Sequence, residues 1–191
     1  MNSIGKISNE IIDPKTNPDN LFNYIELANI NETIGIIEDI NRIFGKDAPS
    51  RAKMYLREKD IIASSVQGSI EKIAIIPKEL EGSIGSTGFF VFRPFELNRY
   101  YFLALMKNPI IQYQMKREAS GTILAAVSPN SLKNILIPDI SLEKQNEIAN
   151  LTEQSHQDRK NANDLFLRAI QAIDVAIDNN ENTALEILRK N

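Results

Sequence analysis

From Leu142 to Asp178 the chain carries no glycine and no proline, and no other feature constrains its fold as strongly. Ser141 follows closely on Pro138 and has a hydroxyl suited to capping a helix, so one long helix is predicted from there to Asp178. Its apolar positions fall at Ile148 and Leu151, then at Phe166, Ile170, Ile173 and Ile177. The last four are spaced 4, 3 and 4 residues apart, the seam of a coiled coil rather than the broad stripe of a globular helix. A lone helix cannot bury such a seam on itself. Either a partner helix covers it or the helix folds back onto its own domain. Asn161, Ala162 and Asn163 thin the seam, as a register-setting polar pause or as a weak stretch of helix. The run from Asp178 to Asn182 breaks the pattern. Thr183, with Glu186 three residues later, has the form of a capping box for a short terminal helix.

The rest of the chain reads differently. Ile34, Ile36, Ile37 and Ile40 are β-branched and lie around Gly35. The segment Asp60 to Ile76 is rich in isoleucine, interrupted at Gln67-Gly68-Ser69 and closed by Pro77, which predicts two strands around a tight turn. Phe89 to Phe92 predicts another strand, ended by Pro94 because proline cannot donate to a ladder. Leu97 to Lys107 is a helical run. Asn108 then reads as an N-cap and Pro109 as the first residue of a second helix, with Gly121 as its left-handed stop. GTILAAV and KNILIP return to extended runs. Strands and helices do not alternate regularly, so the fold class is α+β, with a mixed or antiparallel β core over residues 1–140 and the long helix over 141–191.

The stretch EGSIGSTGFFVFRP (81–94) resembles a phosphate-binding loop. A dinucleotide fingerprint needs G-x-G-x-x-G between a strand and a helix. Here the spacing is G-x-x-G-x-x-G and a strand follows, and no Gly-Lys-Ser/Thr is present. A tight turn feeding the FFVF strand accounts for it. No catalytic set emerges elsewhere. His156, the single histidine, lies in the long helix without a metal-binding companion, and cysteine is absent. Pro138-Asp139 with Glu143-Lys144 lacks the spacing of a metal-dependent nuclease, and Asn108-Pro109-Ile110-Ile111 lacks the aromatic of an amino-methylating box. No enzyme, metal or cofactor is expected. The missing cysteines fit a reducing compartment. With no apolar run of signal-peptide or membrane-span length, a cytoplasmic location is expected.

The formal net charge is -3, but its distribution says more. Residues 42–59 hold six bases (Arg42, Lys46, Arg51, Lys53, Arg57, Lys59) against two acids, or +4; residues 93–138 hold six against two, again +4. Residues 139–191 hold six bases against ten acids, or -4. Two basic blocks in an acidic chain are the electrostatic precondition of a nucleic-acid face, and equally the pattern of solvated surface charge.

Taken in order, GSTGFFVFRP, RYYFLALMKNPIIQYQMKREASGT and SLKNILIPDISLEKQNEIA resemble the specificity subunit of type I restriction–modification systems. The last carries a Leu-Glu-x-Gln-x-x-Ile-Ala signature in Leu142, Glu143, Gln145, Ile148 and Ala149. KMYLREKDIIASSVQGSIEKIAI and YIELANI resemble its earlier strands. The resemblance covers about residues 21–178. It departs at Lys59, where glycine is usual, at Asp139, where a second proline is usual, and in length: members carry two recognition domains, this chain one.

The resemblance implies a non-catalytic subunit that reads double-stranded DNA for a separate DNA methyltransferase, and with a further subunit for a nuclease-translocase. The unpaired seam of Phe166, Ile170, Ile173 and Ile177 suggests that a half-subunit restores a two-domain arrangement by pairing its long helix with a second copy. Readout needs Arg, Lys, Asn or Gln at base edges and bases and hydroxyls on phosphates. Candidates are Lys46, Arg51 and Lys53 in the first block, Ser65 and Gln67 at the turn, and Lys116, Arg117, Ser120 and Thr122 closing the second. The competing readings are an interaction module that binds another coil without DNA, and a regulatory form that has lost its recognition surface.

Overall fold

The structure is a computed structural model that describes residues 6–93, 97–122, 124–178 and 181–189. Pro94, expected to close a strand, and part of the expected break at Asp178 to Asn182 lie outside those residues. Short β-branched runs between turn residues give short strands. Among the described residues these are β1 (Leu21–Ile25), β2 (Ile30–Asn31), β3 (Ile36–Ile37), β4 (Asn41–Phe44), β5 (Ala52–Tyr55), β6 (Ile61–Ser64), β7 (Ile73–Ile75), β8 (Ile84–Ser86) and β9 (Phe89–Phe92). Helices α1 (Arg99–Lys107), α2 (Pro109–Glu118), α3 (Leu142–Asp178) and α4 (Glu181–Arg189) follow. The chain divides into two compact units, residues 1–149 and 150–191. The division falls two turns inside α3 rather than at its start, because Ile148 and Ala149 pack into the core of the first unit.

That core is organised by one sheet in the order β7-β6-β9. Strand β6 pairs antiparallel with both neighbours, Ile61 opposite Phe92 and Ala63 opposite Phe90 on one face, Ile62 opposite Val91 on the other. Period-two alternation sends Ile61, Ala63, Ile73, Phe90 and Phe92 toward α1 and α2, where Tyr101, Phe102, Leu103 and Met106 meet them. Ile62, Ala74, Phe89 and Val91 point the opposite way, onto Ile25, Ile30, Leu56 and Leu80. With both faces covered, β6 and β9 are buried throughout, which is why they read as unbroken apolar runs. A second sheet, β4-β1-β8-β5, is antiparallel except for the parallel pair β1–β8.

The helix signals act locally. Asn98 accepts from the Tyr100 N–H at 2.9 Å and starts α1; Asn108 accepts from the Ile110 N–H at 2.9 Å and starts α2, with Pro109 at its first position. Three expectations change. Helix α2 ends at Glu118 with Ala119 as its cap, so Gly121 is not its left-handed stop. Gly121 instead has φ 133° and lets the chain double back, so that Ser120 and Ala126 exchange two 3.0 Å hydrogen bonds. A Cβ there would stand 2.8 Å from the Leu124 carbonyl oxygen. The GTILAAV and KNILIP runs make isolated bridges and a 3-10 turn (Ser131–Asn134), with no ladder among the described residues. Helix α4 begins at Glu181, so Thr183 lies inside its first turn rather than capping it.

The chain's start is tied across both sheets by charge. The Ser8 N–H donates to Val91 O and the Arg93 N–H to Lys6 O, at 2.7 and 2.8 Å, along the free edge of β9. The Ile12 N–H reaches Lys53 O on β5 at 2.9 Å. Between them Glu10 accepts from Arg57 at 2.7 Å and from Arg93. The Arg93 guanidinium also donates to both oxygens of buried Asp60, whose carboxylate takes the Arg57 N–H at 2.8 Å as well.

A carboxylate so enclosed is costly to remove. Asp60→Ala, which strands Arg93 inside, is expected to lower unfolding free energy by about 3 kcal/mol in urea titrations. Glu10 titrates below its ordinary value of 4.5, mainly through the Arg57 hydrogen bond and then, against some desolvation, through Arg93. Its contribution is therefore present above pH 4.5 and lost as pH falls through the lowered value. Glu10→Gln should flatten the acid limb of the stability–pH curve; an unaltered limb would show that the clasp does not titrate.

Candidate functional site

Strand β8 ends in one sheet at Ser86 and β9 begins in the other at Phe89. Thr87 and Gly88 make the crossing, and neighbouring loops are hydrogen-bonded to it on two sides. The Thr87 N–H donates to Arg51 O at 2.8 Å. The Ser65 N–H and hydroxyl both donate to Gly88 O at 2.9 Å. From Ser65 the connections continue: the Val127 N–H donates to Ser65 O at 2.8 Å and the Gln67 N–H to Ala125 O at 2.9 Å. The Gln67 amide reaches Lys116 O at 3.4 Å.

A single hydrogen-bonded edge therefore brings together Arg51, Ser65, Gln67, Lys116 and Ser120, with Arg117 and Thr122 adjacent in sequence and exposed. Residues 81–88, read as a turn, are partly a buried strand: Ile84, Gly85 and Ser86 form β8, and the turn proper is the exposed Thr87 with Gly88. Thr87 is the residue sequence reasoning left out, since the even glycine spacing drew attention to the glycines instead. Lys53 is exposed at an irregularity of β5 between Ala52 and Met54, a place where a strand re-aims a side chain. Lys46 is set apart. It follows β4, whose Phe44 pairs with Leu21 at the start of β1, whereas Ser86 lies one step beyond the Ile25–Gly85 pair at the other end. The two ends are roughly 15 Å apart along the strand. The Lys46 ammonium sits 5.4 Å from the centre of the Phe44 ring.

Charge redistributes in three dimensions. Most bases of the 93–138 block are answered within the fold. Arg93 faces Asp60 and Glu10; Lys107 donates to Glu32 O at 2.7 Å, and burial lowers its pKa. Lys116 pairs with Glu71, whose carboxyl titrates below its ordinary value because of that hydrogen bond. Arg117 lies 3.5 Å from Glu118. In the first block Arg57 pairs with Glu10 and Lys59 with Glu58. Arg42, Lys46, Arg51 and Lys53 are exposed and make no ion pair with any described residue. The available positive charge is thus concentrated in the first block. Serine 65 and the Gln67 backbone are engaged in holding the edge together.

In the second unit, Ala172 of α3 and Ala184 of α4 are both buried, and Arg168 of α3 donates to the terminal carbonyls of α4 at Ile187 (3.0 Å) and Leu188 (3.1 Å). At 100° per residue, positions 168, 172 and 176 share one face while 166, 170, 173 and 177 lie on the opposite one. The terminal helix leaves the seam uncovered: Phe166, Ile170, Ile173 and Ile177 are 66%, 43%, 61% and 76% exposed. Among the described residues no three His, Asp or Glu side chains group to hold a metal, and no helix is long and apolar enough to cross a membrane.

The sequence matches the family described as type I restriction modification DNA specificity domain over residues 3–161. The chain belongs to that family. The HsdS subunit from Thermoanaerobacter tengcongensis superposes with a TM-score of 0.70 at 30% identity, covering 92% of this chain and 46% of that one. A chain from a structure of complex assembly and conformational transition of the type I R-M system gives 0.69, again at 30% identity, 92% and 46%. The type I S subunit from M. genitalium shares the fold at 16% identity and a TM-score of 0.50, covering 94% of this chain and 50% of that one. This specificity domain spans about half the length of the structures it matches. A search of the curated proteins returned no match.

Proposed function

We propose that this chain is the sequence-reading component of a type I restriction–modification system, a non-catalytic subunit that directs a partner DNA methyltransferase, and with it a nuclease-translocase subunit, to a double-stranded DNA site. The observation that carries this reading is the convergence of Arg51, Ser65, Gln67, Lys116 and Ser120 on the crossing between the two sheets, in a chain of the specificity-domain family. Exposed hydroxyl and amide groups on a braced main chain suit base and phosphate contacts, and Arg51 and Lys53 bring positive charge that no described acid pairs with. Arg117 and Thr122 extend the surface, and Lys46 stands as an outlying phosphate contact.

The bare seam favours a second copy as the occupant of the helix. Its 4-3-4 spacing reads the same in both directions. Two antiparallel copies related by a two-fold axis seat Phe166 of one against Ile177 of the other, and Ile170 against Ile173. A two-fold dimer reads two copies of one half-site. We assign DNA reading to residues 1–140 and assembly to residues 141–191, with the first two turns of the long helix anchored in the first unit through Ile148 and Ala149.

Two measurements decide these points. Arg51→Ala is expected to weaken binding to duplex DNA of any sequence and to reduce the slope of log affinity against log salt by about 1; an unchanged slope removes Arg51 from the phosphate contacts. Lys116→Ala, with its charge already answered by Glu71, should change the slope less. Light scattering at micromolar concentration should report a dimer that the double variant Ile170→Asp, Ile173→Asp converts to a monomer, and a strictly monomeric parent chain would refute the pairing.

A further inference from the structure

The glycines of the 81–88 stretch do not share one explanation. Gly82 has φ +79°, and a Cβ on Gly85 would stand 3.2 Å from the Leu56 methyls. Backbone conformation favours glycine at the first and close packing favours it at the second. Gly88 is different: it is outside the positive-φ region, and a Cβ there would make ordinary contacts, 3.5 Å to Ser86 Oγ, 3.6 Å to Leu27 Cδ1 and 3.8 Å to Val66 Cγ2. Gly68 is freer still, with ordinary φ and nothing within 4 Å of a Cβ. Among the described residues, neither packing nor backbone strain accounts for these two.

Both belong to the edge already described. Gly88 O receives the two Ser65 donors, and Gly68 follows three residues later, between Gln67, whose N–H is held by Ala125 O, and Ser69, whose hydroxyl lies 2.9 Å from that of Ser64. Thr87 beside Gly88 is pinned through its N–H to Arg51 O. A glycine in ordinary backbone raises the conformational freedom of the unfolded chain and gives nothing back within the fold. What it does leave is a surface of bare main chain. Here that surface is immobilised by hydrogen bonds and lies beside the exposed cation Arg51.

We infer that Gly68 and Gly88 form a close-approach floor on which the sugar–phosphate backbone of duplex DNA rests directly against the protein main chain, with Thr87 and Gln67 presented at its sides. This rests on the DNA-reading function proposed above and specifies where the duplex comes nearest. The floor works by absence, so any side chain on it holds the duplex away while the unbound protein is undisturbed.

The test pairs stability with binding in the full chain, using a pool of random-sequence duplex DNA at low salt. Gly68→Leu and Gly88→Ala are expected to melt at or above the temperature of the parent and yet to bind roughly tenfold more weakly. Variants that melt normally and bind like the parent overturn the inference while leaving the DNA-reading function intact. A parent chain that does not bind duplex at all overturns that function, and this inference with it. A lowered melting temperature for Gly88→Ala would assign that glycine to the fold and overturn its place in the floor, and Gly68→Leu, with open space around it, then decides the remainder.

Discussion

The pairing of β6 with β9 is the interaction on which the rest of the first unit depends. Both faces of this pair are buried, so each residue of Ile61 to Ala63 and Phe89 to Phe92 contributes to one of two apolar clusters. Phe92 and Phe102 pack with ring centres 5.1 Å apart, tying the sheet to α1. Val91 and Ile62 tie it to Leu56 and Ile25 on the other side. A one-residue slip in this ladder would exchange the two sets of side chains and disrupt both clusters at once, so the register is fixed from both sides. Burying side chains of this size contributes about 1.5–3 kcal/mol each, enough to set the order of the fold against the small net stability of a domain.

Fixing that register fixes the crossing as well. Strand β9 cannot move without breaking the layer, and β8 is held between β1 and β5, so Thr87 and Gly88 are anchored at both ends in different sheets. The 65–67 turn leaves the same end of that ladder at Ser64, opposite Phe89, and the 119–127 loop is hydrogen-bonded to it. The candidate surface is therefore built of loops in sequence but braced by strands in space. That combination suits recognition, which needs groups held in place without a catalytic constellation.

Much of this was legible because it is local. Asn98, Asn108 and Pro109 mark helix starts by their own chemistry, and FFVF is apolar throughout because both its faces are buried. The 4-3-4 seam stood out because nothing else interrupts α3. What was not legible depends on partners far away in the chain. Block sums of charge counted Arg93, Lys107 and Lys116 as a basic surface, yet each is answered by a group 33 to 83 residues away in sequence. Gly85 reads as turn chemistry but sits in a strand because Leu56 approaches it closely. Thr183 and Glu186 have capping spacing, but α4 starts at Glu181, and it is tied to α3 by Arg168. Local motifs predict ends; packing decides which ends are used.

The two units also differ in what their charge permits. Residues 139–191 carry ten acids against six bases, so the long helix repels a polyanion while its exposed seam excludes water poorly and favours an apolar partner. The first block has the reverse character, with exposed cations and few exposed apolar groups among them apart from Phe44. A net charge of -3 is then no argument against a polyanionic partner, since it averages an acidic helix with a basic block. The same separation bears on assembly. Because the seam lies on the side of α3 away from α4, covering it with a second copy requires no change in the helical hairpin. Because its spacing is unchanged on reversal, the pairing it favours is between identical helices running in opposite directions.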